Sequence, residues 1–89
     1  MKKIFIFLVF IISSPVLANE HTHQLGNSGY AIREAMHEGA ATKSPDKYWE
    51  ALRLQNEAKE KFKQRYFNEA MELSKQAYSL AKEALQESK

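Results

Sequence analysis

The chain has 89 residues, with 13 Lys or Arg, 11 Asp or Glu and no cysteine. A chain of this length can form one domain with a modest hydrophobic core. The lack of cysteine excludes a fold held by disulfides, on which small secreted domains often rely, so helix packing or self-association must stabilise it.

Residues 1–18 are typical of a secretory signal peptide. Lys2 and Lys3 form a positive amino-terminal region, and an apolar run over residues 4–12 follows. Val16-Leu17-Ala18 supplies the small residues that a cleavage site needs. The apolar run is short for a bilayer span, although an uncleaved anchor is the alternative. We therefore predict cleavage after Ala18, a periplasmic location and no membrane span in the mature chain.

Cleavage would change the charge balance of the protein. Removal of Lys2 and Lys3 from the 13 basic residues leaves 11, which equals the number of acidic residues. A neutral mature chain gives no electrostatic reason to expect nucleic acid or an anionic membrane as a partner.

Residues 19–27 are polar apart from one leucine, and this composition predicts a flexible leader. After cleavage the leader would begin Asn19-Glu20-His21. A free α-amine, two deprotonated backbone amides and an imidazole at the third position form a square-planar nitrogen site suited to Cu(II) or Ni(II). His23 adds a nearby donor. A histidine also reaches this position by chance, so a small periplasmic metal binder is the alternative function.

Residues 28–89 are predicted to be an all-α domain with helices over about 28–41, 45–64 and 67–87. Asn27 or Ser28 would cap the first helix, and Gly39 would mark its end. One face of this helix carries Ser28, Ala31, Ile32, Ala35, Met36 and Gly39. Since so short a helix is marginal alone, packing of this face would complete a three-helix bundle, in which the first helix could cover Trp49.

The two later helices are predicted to form a long antiparallel hairpin. Ser44 and Pro45 are typical of a helix start. The apolar face of the first of these helices contains Tyr48, Ala51, Leu52, Leu54, Ala58, Phe62 and Tyr66. The second carries a helix–helix seam of Phe67, Ala70, Ser74, Ala77, Ala81 and Ala84. The link near residues 64–67 lacks Gly and Pro, so one bent helix is an alternative, but it would leave its apolar face uncovered in a monomer.

Several short runs carry a resemblance to a known family. They are Gly39-Ala40-Ala41-Thr42-Lys43-Ser44-Pro45, then Tyr48, Ala51 and Ala58, then Tyr66-Phe67-Asn68-Glu69-Ala70, Leu73, Gln76-Ala77 and Ala81. Over roughly residues 30–85 the chain resembles the small bacterial envelope proteins catalogued as domain of unknown function 4398. The resemblance implies an exported helical domain without enzyme activity and transfers no functional residue. Many members have a lipidated cysteine, which this chain lacks.

A weaker similarity links the hairpin to a single tetratricopeptide unit. Ala58, Phe67, Ala70 and Ala77 lie near the small and aromatic positions of that repeat, but no second copy is visible. Both resemblances imply a helical hairpin.

No set of residues in the sequence predicts catalysis, so we expect a non-enzymatic module without a cofactor other than the possible Cu or Ni. Tyr30 and Trp49 lie off the apolar stripes and are the candidate partner surface. The partner would be an envelope protein or a second copy of the chain. A closed monomer with Trp49 beneath the first helix and a symmetric dimer of hairpins both remain open.

Overall fold

A computed structural model of the protein describes residues 22–89, and all regular structure in this range is helical. Helix α1 covers residues 22–37, and α2 is the single turn Ala40–Lys43. Helix α3 spans Pro45–Lys63, and α4 spans Phe67–Ser88. The all-α prediction and the predicted hairpin of two long helices are confirmed for this part of the chain. The predicted signal peptide lies outside the described residues.

Helices α3 and α4 run antiparallel. Lys47, near the start of α3, pairs with Glu83 at 3.1 Å and with Glu87 near the end of α4. At the opposite end of the hairpin, Lys61 pairs with Glu69 at 3.2 Å. The predicted seam of α4 is buried at Ala70, Ser74, Ala77, Ala81 and Ala84. These small side chains allow the helices to pack closely along this line.

Helix α1 lies against both helices of the hairpin through small side chains. One buried cluster joins Ala31, Ile32 and Ala35 of α1, Tyr48 and Ala51 of α3, and Ala81, Ala84 and Leu85 of α4. Each alanine removes little apolar area from water. The cluster therefore stabilises the packing of α1 against the hairpin only modestly.

A buried polar cluster connects the same three helices. Ser28 of α1, Gln55 of α3 and Ser74 of α4 are each at most 3% exposed. The Ser28 hydroxyl lies 2.5 Å from Gln55 Oε1 and 2.8 Å from Ser74 Oγ. Gln55 Nε2 donates to the Leu25 carbonyl at 3.1 Å. The Ser74 hydroxyl, whose single hydrogen can serve either Ser28 Oγ or the Gln24 carbonyl, lies 3.1 Å from that carbonyl. Each side chain of this serine–glutamine cluster therefore has at least two partners.

Helix α1 begins earlier than the sequence predicts. Residues 22–27 are helical, where a flexible leader was expected, and Ser28 lies inside the helix instead of capping it. The physical reason is tertiary, because side chains of α3 and α4 bond to the carbonyls of Gln24 and Leu25. Residues 19–21 lie outside the described range.

The helix predicted over residues 28–41 ends at residue 37, just before Gly39, the residue that the sequence predicts as its end signal. Gly39 has a φ of 83°, in the left-handed region that glycine enters without steric cost. Its N–H donates to the Met36 carbonyl at 2.9 Å. The residues that follow form the separate turn α2, in which Ala40 is buried.

The start of α3 is fixed to the end of α4. Ser44 occupies the N-cap position, but its hydroxyl donates to Glu87 Oε1 at 2.6 Å and makes no capping bond. Hydrogen bonds from Lys47 and then Ser44 hold the pKa of Glu87 below its usual range. Because the folded-state pKa is lowered, this contribution to stability is present above the ordinary carboxyl pKa and is lost as the pH falls through the folded-state value.

The link between α3 and α4 is a Schellman motif with arginine at the usual glycine position. The Tyr66 N–H donates to the Lys61 carbonyl at 2.9 Å, and the Arg65 N–H donates to the Phe62 carbonyl at 3.0 Å. Arg65 has a φ of 66°. The missing glycine is why the sequence signal for this turn is weak. Helix α3 ends before Tyr66, so the expectation that Tyr66 shares its apolar face is wrong.

Replacing Arg65 by glycine should stabilise the protein. A non-glycine residue in the left-handed conformation costs about 1–2 kcal/mol, part of which the extra freedom of glycine in the unfolded chain offsets. We expect Arg65→Gly to raise the free energy of unfolding by about 0.5–1 kcal/mol in urea titrations. The matched control is Gln64→Gly, at a right-handed position, which should destabilise. A loss of stability in Arg65→Gly would contradict the observed turn.

The α4 seam should tolerate enlargement poorly. Ala77 has no exposed surface, whereas Glu72 on the same helix is exposed. We expect Ala77→Leu to cost about 1–3 kcal/mol through overpacking. Glu72→Ala should change stability by less than about 0.5 kcal/mol. Thermal melts followed by circular dichroism measure both effects, and equal melting temperatures would show that this face is not the packed one.

Candidate interaction surface

Both aromatic residues that the sequence predicts at the surface are exposed. Tyr30 is 59% exposed and Trp49 is 55% exposed. The expectation that the first helix covers Trp49 is wrong. Tyr48 takes the core position on this turn of α3, and Trp49 lies about 100° further round the helix. The two rings meet edge to face with their centroids 5.0 Å apart.

Tyr30 and Trp49 do not belong to one surface. Trp49 lies about 200° round α3 from Lys47, which faces α4. Tyr30 lies on the flank of α1 that faces Tyr78 of α4. The two predicted residues therefore lie on separate surfaces. The neighbour of Tyr30 on its surface is Tyr78, which the sequence did not predict.

A groove runs between α1 and α4, with Tyr30 and Tyr78 at its centre. A depression of about 270 Å³ between them is also lined by Asn27, Glu34 and Lys82. Asn27 and Tyr78 also line a neighbouring depression of about 450 Å³. Glu34 lines a third, of about 340 Å³, toward the end of α1. Because the three share lining residues, they form one continuous surface, here called the α1–α4 groove.

The two walls of the α1–α4 groove carry opposite charges. The α1 wall has Glu34 and, just after the helix, Glu38. The α4 wall has Lys75, Lys82 and, just after the helix, Lys89. Among residues 22–89, the ion pairs involve other side chains, so these five charges are unpaired. Tyr78 is 38% exposed, and Lys82 Nζ lies 5.9 Å from the centre of its ring. Exposed tyrosines are enriched at protein-recognition surfaces, and unpaired charges beside them can orient a partner of complementary charge.

The middle of the exposed face of α3, around Arg53, differs from this groove because its charges neutralise one another. Arg53 donates to Glu50 through Nε at 2.9 Å and Nη2 at 2.6 Å, and it also pairs with Glu57. The bond to Arg53 lowers the pKa of Glu50, and the bond to Glu50 raises the pKa of Arg53. These charges are thus already partnered within one helix.

The predicted metal site is only partly within the described residues. His23 is exposed on the first turns of α1, whereas Asn19, Glu20 and His21 lie outside the described range. Residues 22–89 contain no group of three or more side chains that could hold a metal ion. Binding of Cu(II) or Ni(II) by the processed amino terminus therefore stays a prediction.

No family model, curated protein or solved structure matches the chain. The resemblances to the envelope family and to a tetratricopeptide unit accordingly stay predictions, as do export and the lack of enzyme activity. None of the helices within residues 22–89 is both long enough and apolar enough to cross a bilayer.

Proposed function

We propose that the chain is an exported, non-enzymatic module whose three-helix bundle binds another protein of the bacterial envelope through the α1–α4 groove. The observation that carries this proposal is the pair of exposed tyrosines, Tyr30 and Tyr78, between walls of unpaired opposite charge. Tyrosine supplies a large contact area for little loss of conformational freedom, and it is enriched among the residues that dominate binding energy.

The groove is held in shape by the interior of the protein. The Ser28–Ser74 contact at 2.8 Å connects its two walls directly, about half a turn of helix from Tyr30 on one side and one turn from Tyr78 on the other. A surface fixed in this way loses little freedom on binding, which favours affinity. The acidic α1 wall and the basic α4 wall would orient a partner helix of complementary charge.

Export rests on the amino-terminal sequence. Cleavage after Ala18 would leave all of residues 22–89, and hence both walls of the groove, in the mature chain. The envelope is then the compartment in which a partner must be sought. A second copy of the chain is a competing occupant that the following experiment distinguishes.

Photo-crosslinking in cells tests the proposed groove. We place p-benzoyl-phenylalanine in place of Tyr30 or Tyr78, one at a time, and in place of Asn56, an exposed residue of α3. We expect one adduct of the same mass from positions 30 and 78, in the envelope fraction, and none from position 56. Mass spectrometry identifies the partner and shows whether the chain in the adduct begins at Asn19.

Tyr78→Ala supplies the matching loss-of-binding variant. It should abolish the adduct from position 30 while circular dichroism shows unchanged helicity, because Tyr78 is partly exposed and lies outside the buried cluster. An adduct with the mass of two chains would replace the envelope partner by self-association. Adducts of equal yield from positions 30 and 56 would overturn the proposal.

A further inference from the structure

The tip of the hairpin combines basic and aromatic side chains. It is formed by residues 59–67, here called the hairpin tip. Its basic residues are Lys59, Lys61, Lys63 and Arg65, its aromatic residues are Phe62, Tyr66 and Phe67, and its acidic residue is Glu60. The mature chain is expected to have no net charge, but its charges are unevenly distributed. The hairpin tip has a strong excess of positive charge.

Most of this charge is free to meet a partner. Lys61 pairs with Glu69. Lys59, Lys63 and Arg65 are exposed, and the ion pairs within residues 22–89 do not involve them. The opposite end of the hairpin differs, because there Lys47 is bound by Glu83 and Glu87.

The aromatic rings lie among these cations. The rings of Phe62 and Phe67 meet edge to face with centroids 5.2 Å apart, and both side chains are half-buried. Tyr66 is 54% exposed, and Lys61 Nζ lies 5.4 Å from the centre of its ring. Because Arg65 and Tyr66 form the link between the helices, they are at the extreme end of the hairpin. The tip thus offers an apolar centre and a basic rim.

The amino-terminal end of α1, as far as residue 22, lies toward the same end of the hairpin. Ser28 is level with Gln55 and Ser74, and the later residues of α1 pack toward Tyr48 and Leu85. The first described residues therefore point toward the tip. Thr22 lies about 9 Å beyond Ser28 along α1, and the end of α3 lies about 12 Å beyond Gln55.

We propose that the hairpin tip binds the surface of a bilayer that contains anionic phospholipids. Lys59, Lys63 and Arg65 would contact lipid phosphates, since clustered basic side chains are attracted to an anionic leaflet. Tyr66, with the exposed part of Phe62, would lie at the level of the headgroups, where aromatic side chains are favoured. This inference goes beyond the proposed function and uses a different surface, so the α1–α4 groove stays accessible.

Vesicle binding by the mature chain, residues 19–89, tests the proposal. Sedimentation compares phosphatidylcholine vesicles with vesicles that also contain phosphatidylglycerol. We expect binding only to the anionic vesicles, weakened by added salt. The tip variant combines Lys59→Gln, Lys63→Gln and Arg65→Gln and should bind at least about tenfold more weakly. The matched control combines Arg33→Gln, Lys82→Gln and Lys89→Gln, which removes the same net charge from exposed sites elsewhere and should retain most of the binding.

The single tryptophan reports orientation. Trp49 lies about 21 Å from the end of α3, so its fluorescence should not be quenched by brominated lipids when the tip docks. In the variant Trp49→Phe with Tyr66→Trp, the new indole should be quenched. Circular dichroism confirms that each variant is folded.

Three results would overturn the proposal. The first is equal binding to vesicles with and without phosphatidylglycerol. The second is equal weakening by the tip variant and by the control variant, which would show that only net charge matters. The third is quenching of Trp49 in the unmodified chain, which would place a different end of the protein at the membrane.

Discussion

The hydrogen bonds among Ser28, Gln55 and Ser74 are the constraint on which the rest of the structure depends. The remaining contacts of α1 are mostly alanine methyl groups, such as Ala31 and Ala35, which fit against many neighbours. A buried hydroxyl or amide is more demanding, because leaving one unpaired costs about 1–3 kcal/mol. A shift of α1 by one turn would separate Ser28 from both Gln55 and Ser74 at once. We infer that polar groups set the register of α1 and that alanines supply the close approach.

The proposed surfaces depend on this register. With α1 fixed at Ser28, Tyr30 lies across the α1–α4 groove from Tyr78, and the acidic wall faces the basic one. The same register directs the start of α1 toward the hairpin tip. The proposed protein recognition along the side of the bundle and the proposed lipid binding at its end are therefore compatible. Together the two proposals describe a module that binds a membrane surface through the hairpin tip and binds another protein through the α1–α4 groove.

Periodicity predicted the parts of this structure that depend on repeated small residues, such as the α4 seam at Ala77 and Ala81. It also predicted that Tyr30 and Trp49 are exposed, because both lie off the apolar stripes, although the alternative with Trp49 beneath the first helix is wrong. It did not predict the burial of Gln55, since a glutamine on a helix is ordinarily solvated and its partners, Ser28 and Leu25, lie on α1. Periodicity also did not predict that residues 22–27 are helical. Their polar composition is typical of a flexible segment, and the bonds to their carbonyls come from α3 and α4. The turn gave only a weak signal in the sequence, because Arg65 occupies a conformation in which glycine is usual.

The most direct test of this account is the coupling between Ser28 and Ser74, measured by urea unfolding of Ser28→Ala, Ser74→Ala and the double variant. We expect a coupling free energy of about 1 kcal/mol, because each single change disturbs the bonds of the other serine. Ser79→Ala, at an exposed position of α4, replaces Ser74→Ala in the control cycle and should show no coupling to Ser28→Ala. Effects of Ser28→Ala and Ser74→Ala that add within about 0.3 kcal/mol would contradict the account.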